Sequence, residues 1–204
     1  MHEPEALRFW DGRGTVRLID RDPDSRAYLI ERCVPGTPLG TAYDDASIEI
    51  AARAMHLLWR QPPGDVEWHT LETQASRWLR ELPQRYPPGR LLDEALDAIG
   101  LLASTQARLV LCHQDLHGGN LLRAEREPWL AIDSKPIIGE PAYETVALVR
   151  DDEPTPTELR RRLDLLAELL GLDRERMRLW GIVKSLAWDN PDEAQLYSQG
   201  GSRR

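Results

Sequence analysis

The spacing of apolar residues changes character near Asp44, and that change divides the chain. Before it, a helical run over residues 3 to 10 stops at the turn signal Asp11-Gly12-Arg13-Gly14. Two short strand-like runs follow, Val16 to Ile19 and Tyr28 to Arg32, separated by the polar, proline-containing stretch Asp20 to Arg26. Pro35-Gly36, with Pro38 and Gly40, forms a connector. From Asp44 onward Ile48, Ala51, Ala52, Met55, Leu58 and Trp59 recur at three- and four-residue spacings, which predicts a helix ended by Pro62-Pro63. Further helices are expected over Leu71 to Leu82 and Arg90 to Ala103, divided by Pro83, Pro87 and Pro88. After strands at Arg108 to Cys112 and Pro128 to Asp133, helices are expected over Thr157 to Leu170, capped by Thr155 or Thr157, and Arg174 to Trp188. The late strands should form one hairpin-like pair. The expected class is α+β, with a small strand-bearing piece over residues 1–35 and a larger, mainly helical part over 36–204.

A chain of 204 residues with 41% hydrophobic and 29% charged residues has the composition of a globular protein rather than a disordered one. Its net charge of -8 argues against a nucleic-acid partner and favours a cationic small molecule. Cys33 and Cys112 are far apart and outside any C-x-x-C context, so neither a disulfide framework nor a structural zinc site is expected, and a reducing cytoplasm fits. The first ten residues lack the basic-then-apolar order of a secretory signal, and no apolar window is long enough to span a membrane.

The densest chemistry lies in HQDLHGGN, residues 113 to 120, behind the apolar run Leu109 to Leu111. Asp115 sits on a loop after a buried strand, with Asn120 five residues on and Asp133 at the end of the strand Trp129 to Ile132. A carboxylate and an amide oxygen are too few for calcium. They make a partial shell for magnesium, whose octahedron water and substrate phosphates complete. Asp115 is then left to take a proton from an attacking hydroxyl. Gly118 and Gly119 permit the tight turn between base and ligand. The order H-x-D-x-x-x-x-N followed by a strand-end Asp is the phosphoryl-transfer arrangement of protein-kinase-like folds.

A metal-dependent hydrolase is the distant alternative. His113, Asp115 and His117 alternate as zinc or iron ligands on an extended segment would, with His56 and His69 to complete a site. That reading leaves Asn120 and Asp133 without a role, and the sequence has no H-E-x-x-H.

The segments LVLCHQDLHGGNLL and LAIDSKPIIGEPAYE, with EALRFWDGRGTVRLIDRDPDSRAYLIERCVPGTPL upstream, closely resemble the aminoglycoside phosphotransferase family, in its streptomycin 6-kinase or hydroxyurea phosphotransferase branch. The resemblance covers roughly residues 3 to 190 and implies a protein-kinase-like fold with an incomplete N-terminal lobe and a mainly helical C-terminal lobe. It implies ATP and Mg2+ as cofactors, Asp115 as catalytic base, and Asn120 and Asp133 as metal ligands. His113 and Glu144 would support the catalytic loop. Tyr28 to Cys33 would be the hinge strand, with Glu31 and Cys33 meeting the adenine. The acceptor would be a hydroxyl of a small antibiotic-like molecule, a streptomycin-type aminoglycoside or hydroxyurea, inactivated by phosphorylation. Asp151, Asp152 and Asp189 are the candidate carboxylates for its amines or guanidines.

Several of these residues also have plainer roles open to them. Glu31 could pair with Arg32 on an edge strand, and Lys135 could contact phosphate or simply be solvated. Trp180 and Trp188 could line a pocket or fill the core. The sequence departs from the family pattern in two places. Gln114 replaces the usual glycine between His and Asp. The chain also opens at the helix whose glutamate, here Glu3 or Glu5, should meet a phosphate-binding lysine on an earlier strand. The expectation is therefore an N-terminally truncated chain, with a catalytically impaired kinase-fold remnant as the alternative function and residues 1 to 40 as its least stable part.

Overall fold

The structure is a computed structural model that describes residues 2–40, 43–62, 64, 66–106, 108–150 and 153–200. Its first helix, α1 (Glu3–Trp10), leads into a hairpin of β1 (Leu18–Arg21) and β2 (Tyr28–Ile30). Helices α2 (Asp45–Leu58), α3 (Leu71–Arg85) and α4 (Arg90–Ser104) precede β3 (Val110–Cys112). A single 3-10 turn at Gly118–Asn120 opens a cluster of short strands: β4 (Leu121–Arg123), β5 (Trp129–Ala131) and β6 (Ile137–Gly139). Then come α5 (Pro141–Glu144), α6 (Val146–Arg150), α7 (Pro156–Leu170), α8 (Arg174–Ala187) and α9 (Pro191–Gln199).

Local chemistry sets the helix boundaries. The side chains of Asp44, Thr70, Thr155 and Asp173 each accept a main-chain N–H in the first turn of the helix that follows, and Gly171 closes α7 in the left-handed conformation. The apolar faces of these helices meet in one core that includes Ile48, Met55, Leu82, Ile99, Leu163 and Trp180. A smaller cluster of Leu7, Val16 and Leu130 joins α1 to β5. Among the described residues no helix is long and apolar enough to cross a membrane.

The strand pairing differs from the expected single hairpin. β5 pairs antiparallel with β4, which follows the HQDLHGGN loop, while β3, which precedes it, pairs with β6. The loop thus lies between two separate ladders rather than at the tip of one. The first strand also begins later than expected. Val16 is buried between Leu7 and Leu130, and its N–H donates to the Ala131 carbonyl at 3.1 Å, so this segment pairs with β5 before the chain reaches β2. Pro83 does not end α3, which runs to Arg85. The proline is exposed in the last turn, where its missing N–H costs a single bond, and Arg85 and Tyr86 anchor that turn to the carbonyls of Ala187 and Leu186. The connector after β2 is not a free linker: Leu39 N–H donates to the Leu121 carbonyl at 2.8 Å and Arg123 N–H to the Thr37 carbonyl at 2.8 Å.

Candidate active site

Buried β3 delivers His113 into the core. Its ring stacks on Trp10 and Nε2 lies 2.9 Å from the Ile132 carbonyl, so the neutral imidazole donates there. Burial pushes its pKa down to about 4, against the pull of that carbonyl and of Asp115, and keeps the ring uncharged near neutrality. Lys135 N–H returns a bond to the His113 carbonyl at 2.9 Å, which fixes the two chain segments side by side.

Across this junction the main chain ties Asn120 to Ile132, the residue before Asp133. The Asn120 side-chain NH2 donates to the Asp115 carbonyl at 2.9 Å, and Ile132 N–H donates to the Asn120 carbonyl at 3.0 Å. With its NH2 committed, the Asn120 amide can offer a cation only its oxygen. Asp133 is held at φ 56, and its carboxylate is 63% exposed and open to a ligand. This hard, oxygen-only donor pair fits magnesium with waters and phosphate oxygens in the remaining positions.

Asp115 has two cations beside it. Lys135 Nζ donates to its Oδ2, and Arg150 Nη2 stands 3.9 Å from its Oδ1. Burial raises the Asp115 pKa, but the hydrogen bond and charge of Lys135 outweigh it and hold the carboxyl below its ordinary value. It is therefore ionised near neutrality. Arg150 packs over the Trp188 ring at 4.3 Å.

The loop is held from below. Glu144 is fully buried and accepts the N–H groups of His113 at 2.5 Å and Gln114 at 2.9 Å. Lys184, also fully buried, donates to the Gln114 carbonyl at 2.6 Å and lies over the Tyr143 and Trp188 rings. Gln114 has φ 71, the left-handed region that glycine occupies without strain, and its side chain reaches the Tyr143 hydroxyl at 3.2 Å. The glycine missing from the motif is thus replaced by a strained residue clamped on both sides of its peptide.

Beside the loop is a cleft of about 550 Å³ lined by His117, Arg150, Glu153, Asn190, Asp192 and Glu193, among others. Asp189 is not among its lining residues and accepts from the Tyr86 hydroxyl at 2.9 Å. Asp151 and Asp152 lie outside the described residues. Trp180 is a core residue whose indole N–H donates to Glu140, whereas Trp188 is 36% exposed beneath Arg150. Glu31 pairs with Arg126 rather than Arg32, through two bonds of 2.8 Å, and also accepts the Arg17 N–H. Cys33 is a half-buried free thiol on the connector, with its pKa pushed up by burial. Glu3 is buried and accepts the Ser134 N–H at 2.7 Å and the Tyr28 hydroxyl, while Glu5 pairs with Arg21.

The metal-hydrolase alternative fails on this geometry. His113 is turned into the core, and among the described residues no three His, Cys, Asp or Glu side chains gather to hold an ion.

Residues 2–191 match the family model described as aminoglycoside/hydroxyurea antibiotic resistance kinase. The chain belongs to that family. It is 36% identical to a streptomycin 6-kinase of Streptomyces glaucescens, over 92% of the chain and 66% of the relative, and 39% identical to a hydroxyurea phosphotransferase of Kitasatospora aureofaciens, over 93% and 58%. It therefore spans less than two thirds of the length of these curated relatives. Among solved structures, a choline kinase from Streptococcus pneumoniae superposes with a TM-score of 0.68 at 15% identity, covering 99% of this chain and 74% of that one. A thermostable mutant aminoglycoside phosphotransferase solved with ADP and hygromycin B gives 0.62 at 14%, covering 99% and 83%. The fold of this resistance-kinase family member is protein-kinase-like α+β.

Sequence reasoning missed Lys184, Arg150, Asp192 and Glu193 as parts of the site. Lys184 carried a usable signal, because a lone lysine within the apolar run Trp180 to Leu186 of α8 has to find a buried partner. Arg150 comes beside Asp115, and Asp192 and Glu193 line the cleft, only through helix packing.

Proposed function

We propose that the chain is the catalytic part of an ATP-dependent phosphotransferase that phosphorylates a hydroxyl of a small, cationic, antibiotic-like acceptor and so inactivates it. The observation that carries this reading is that the ionised Asp115 shares Lys135 with Asp133, accepts the Asn120 side-chain NH2 at its carbonyl, and stands 3.9 Å from Arg150, which lines the cleft together with Glu153 and Asp192. A cation held by Asn120 and Asp133 would supply charge neutralisation for the phosphates. Asp115 accepts the proton of the acceptor hydroxyl and aims its oxygen at the γ-phosphorus, while the carboxylates of the cleft draw in amines or guanidines. His113 and Glu144 keep the loop in register. Residues 1–35 form the nucleotide side, with the chain around Glu31 and Cys33 meeting the base, and residues 36–204 carry catalysis and acceptor binding. A supply of ATP and two free thiols suit a cytoplasmic setting.

The names of the curated relatives favour streptomycin or hydroxyurea as acceptor. Incubation with Mg-ATP and each compound, followed by mass spectrometry of the acceptor and measurement of ADP release, tests this. The expected result is a phosphorylated product that disappears with Asp115→Asn. Neither product nor acceptor-dependent ADP release with either compound, under conditions where the protein is folded, would reject it.

A further inference from the structure

The sequence contains only two lysines, Lys135 and Lys184, and every other strongly basic side chain is arginine. Both lysines reach the loop that carries Gln114 and Asp115. Lys184 is sealed beneath it, bound to the Gln114 carbonyl. Lys135 lies above it, 46% exposed, bound to Asp115 and 3.7 Å from Asp133. A lysine is a compact point charge on a flexible stem, able to exchange partners without the planar matching an arginine needs.

We propose that Lys135 is a catalytic residue that leaves Asp115 when nucleotide binds and holds the γ-phosphoryl group during its transfer. This deepens the reading of the site given above and rests on it. Three features carry it. The ammonium occupies the Asp115 oxygen on the Asp133 side, where the acceptor hydroxyl and the terminal phosphate have to meet. The second oxygen of Asp115 has a cation of its own, Arg150 at 3.9 Å, which is packed on Trp188 and does not depend on Lys135. The Lys135 main chain is pinned by its bond to the His113 carbonyl, so only the side chain has to move.

In the reaction the acceptor oxygen bonds to the γ-phosphorus while its proton passes to Asp115. The bond from phosphorus to the β,γ-bridging oxygen breaks, and its electron pair leaves on ADP. Lys135 neutralises charge on the peripheral phosphoryl oxygens throughout and neither gains nor loses a proton.

The test compares Mg-bound ADP with a non-hydrolysable ATP analogue by calorimetry on the full chain and its Lys135→Met and Lys135→Arg variants, with acceptor kinetics alongside. The wild type is expected to bind the ATP analogue about tenfold more tightly than ADP, since a charge-assisted contact contributes about 1.5 to 3 kcal/mol. Lys135→Met should bring this ratio close to one without changing ADP affinity, and should lower kcat about 100-fold with little change in acceptor KM. Lys135→Arg should recover part of the ratio. An unchanged ratio in Lys135→Met, or an equal loss for both nucleotides, overturns the assignment and leaves the phosphotransferase reading intact. A wild type that binds neither nucleotide rejects the nucleotide reading and the assignment together.

Discussion

Lys184, buried in α8, donates to the main-chain carbonyl of Gln114 at 2.6 Å, seventy residues away in sequence. Glu144 accepts the N–H of the same residue, so one strained peptide is held by a buried cation on one side and a buried carboxylate on the other. Burial drives the Glu144 carboxyl up, and the charge of Lys184 opposes it. Burial drives the Lys184 ammonium down, and Glu144 opposes it. Each charge depends on the other. Lys184→Met removes one member and should destabilise the protein by about 3 kcal/mol, read by urea denaturation, because the remaining carboxylate is left buried without a counter-charge. A loss below about 1 kcal/mol would show that Glu144 finds compensation elsewhere.

Gln114 itself gives a sharper comparison. At φ 71 an L-residue carries strain that glycine does not. Ordinarily alanine is the more stable of the two, by limiting the unfolded chain. Here Gln114→Gly should be more stable than Gln114→Ala by about 1 kcal/mol, since both lose the bond to Tyr143 and only glycine is released from strain. The reverse order in thermal unfolding would mean that the loop relaxes out of the left-handed region.

These two residues also mark how far the sequence could be read. The helices of the larger part were legible because their apolar periodicity and N-caps are local. Asp115, Asn120 and Asp133 stood out because their chemistry is unusual at that spacing. The bracing was less visible. Nothing near Gln114 announces a lysine from α8 or a tyrosine from α5, and a non-glycine residue there reads as tolerated without saying by what. The strands around the loop were short enough that tertiary pairing decided their partners. Leu121–Arg123 pairs with β5 across the short connection 124–128, and β3 pairs with β6.

His113 makes stability depend on pH. Its pKa falls from 6.5 to about 4 on folding, chiefly through burial. The unfolded chain then binds the extra proton between these values and the native state does not. The stability is fully present above pH 6.5 and is lost as pH falls through about 4. The loss should approach about 3 kcal/mol. His113→Gln cannot take up that proton, so denaturation of this variant across the same window should give a flatter profile than the wild type.

Gly118 joins the loop to the connector. A Cβ at this position would lie 1.8 Å from the Gly40 carbonyl oxygen and 2.9 Å from the Tyr43 hydroxyl, which itself accepts the Gly118 N–H at 2.6 Å. Both obstacles are held in place, one as backbone and one as the partner of that bond. Gly118→Ala should therefore displace the connector and cost about 1 to 3 kcal/mol in chemical denaturation. Wild-type stability would show that the connector is not fixed against the loop.

Within the first forty residues, expected to be the least stable part, α1 and the hairpin after it are tied down differently. Trp10 is fully buried, and its indole N–H donates to the Leu58 carbonyl at 3.0 Å, while Glu3 holds the Ser134 N–H next to Asp133. In the β1–β2 hairpin Ile19 and Leu29 are 60% and 58% exposed, so little apolar surface is removed from water there. Opening the hairpin costs its ladder bonds and the polar ties of Tyr28 to Glu3 and Arg21 to Glu5, whereas opening α1 disrupts the main core and the Ser134 contact together. Hydrogen exchange should therefore be at least about 100-fold slower for amides in the last turn of α1 than for those of Leu18 to Arg21. Equal protection would show that its polar ties to Glu3 and Glu5 hold the hairpin as firmly as the core holds α1.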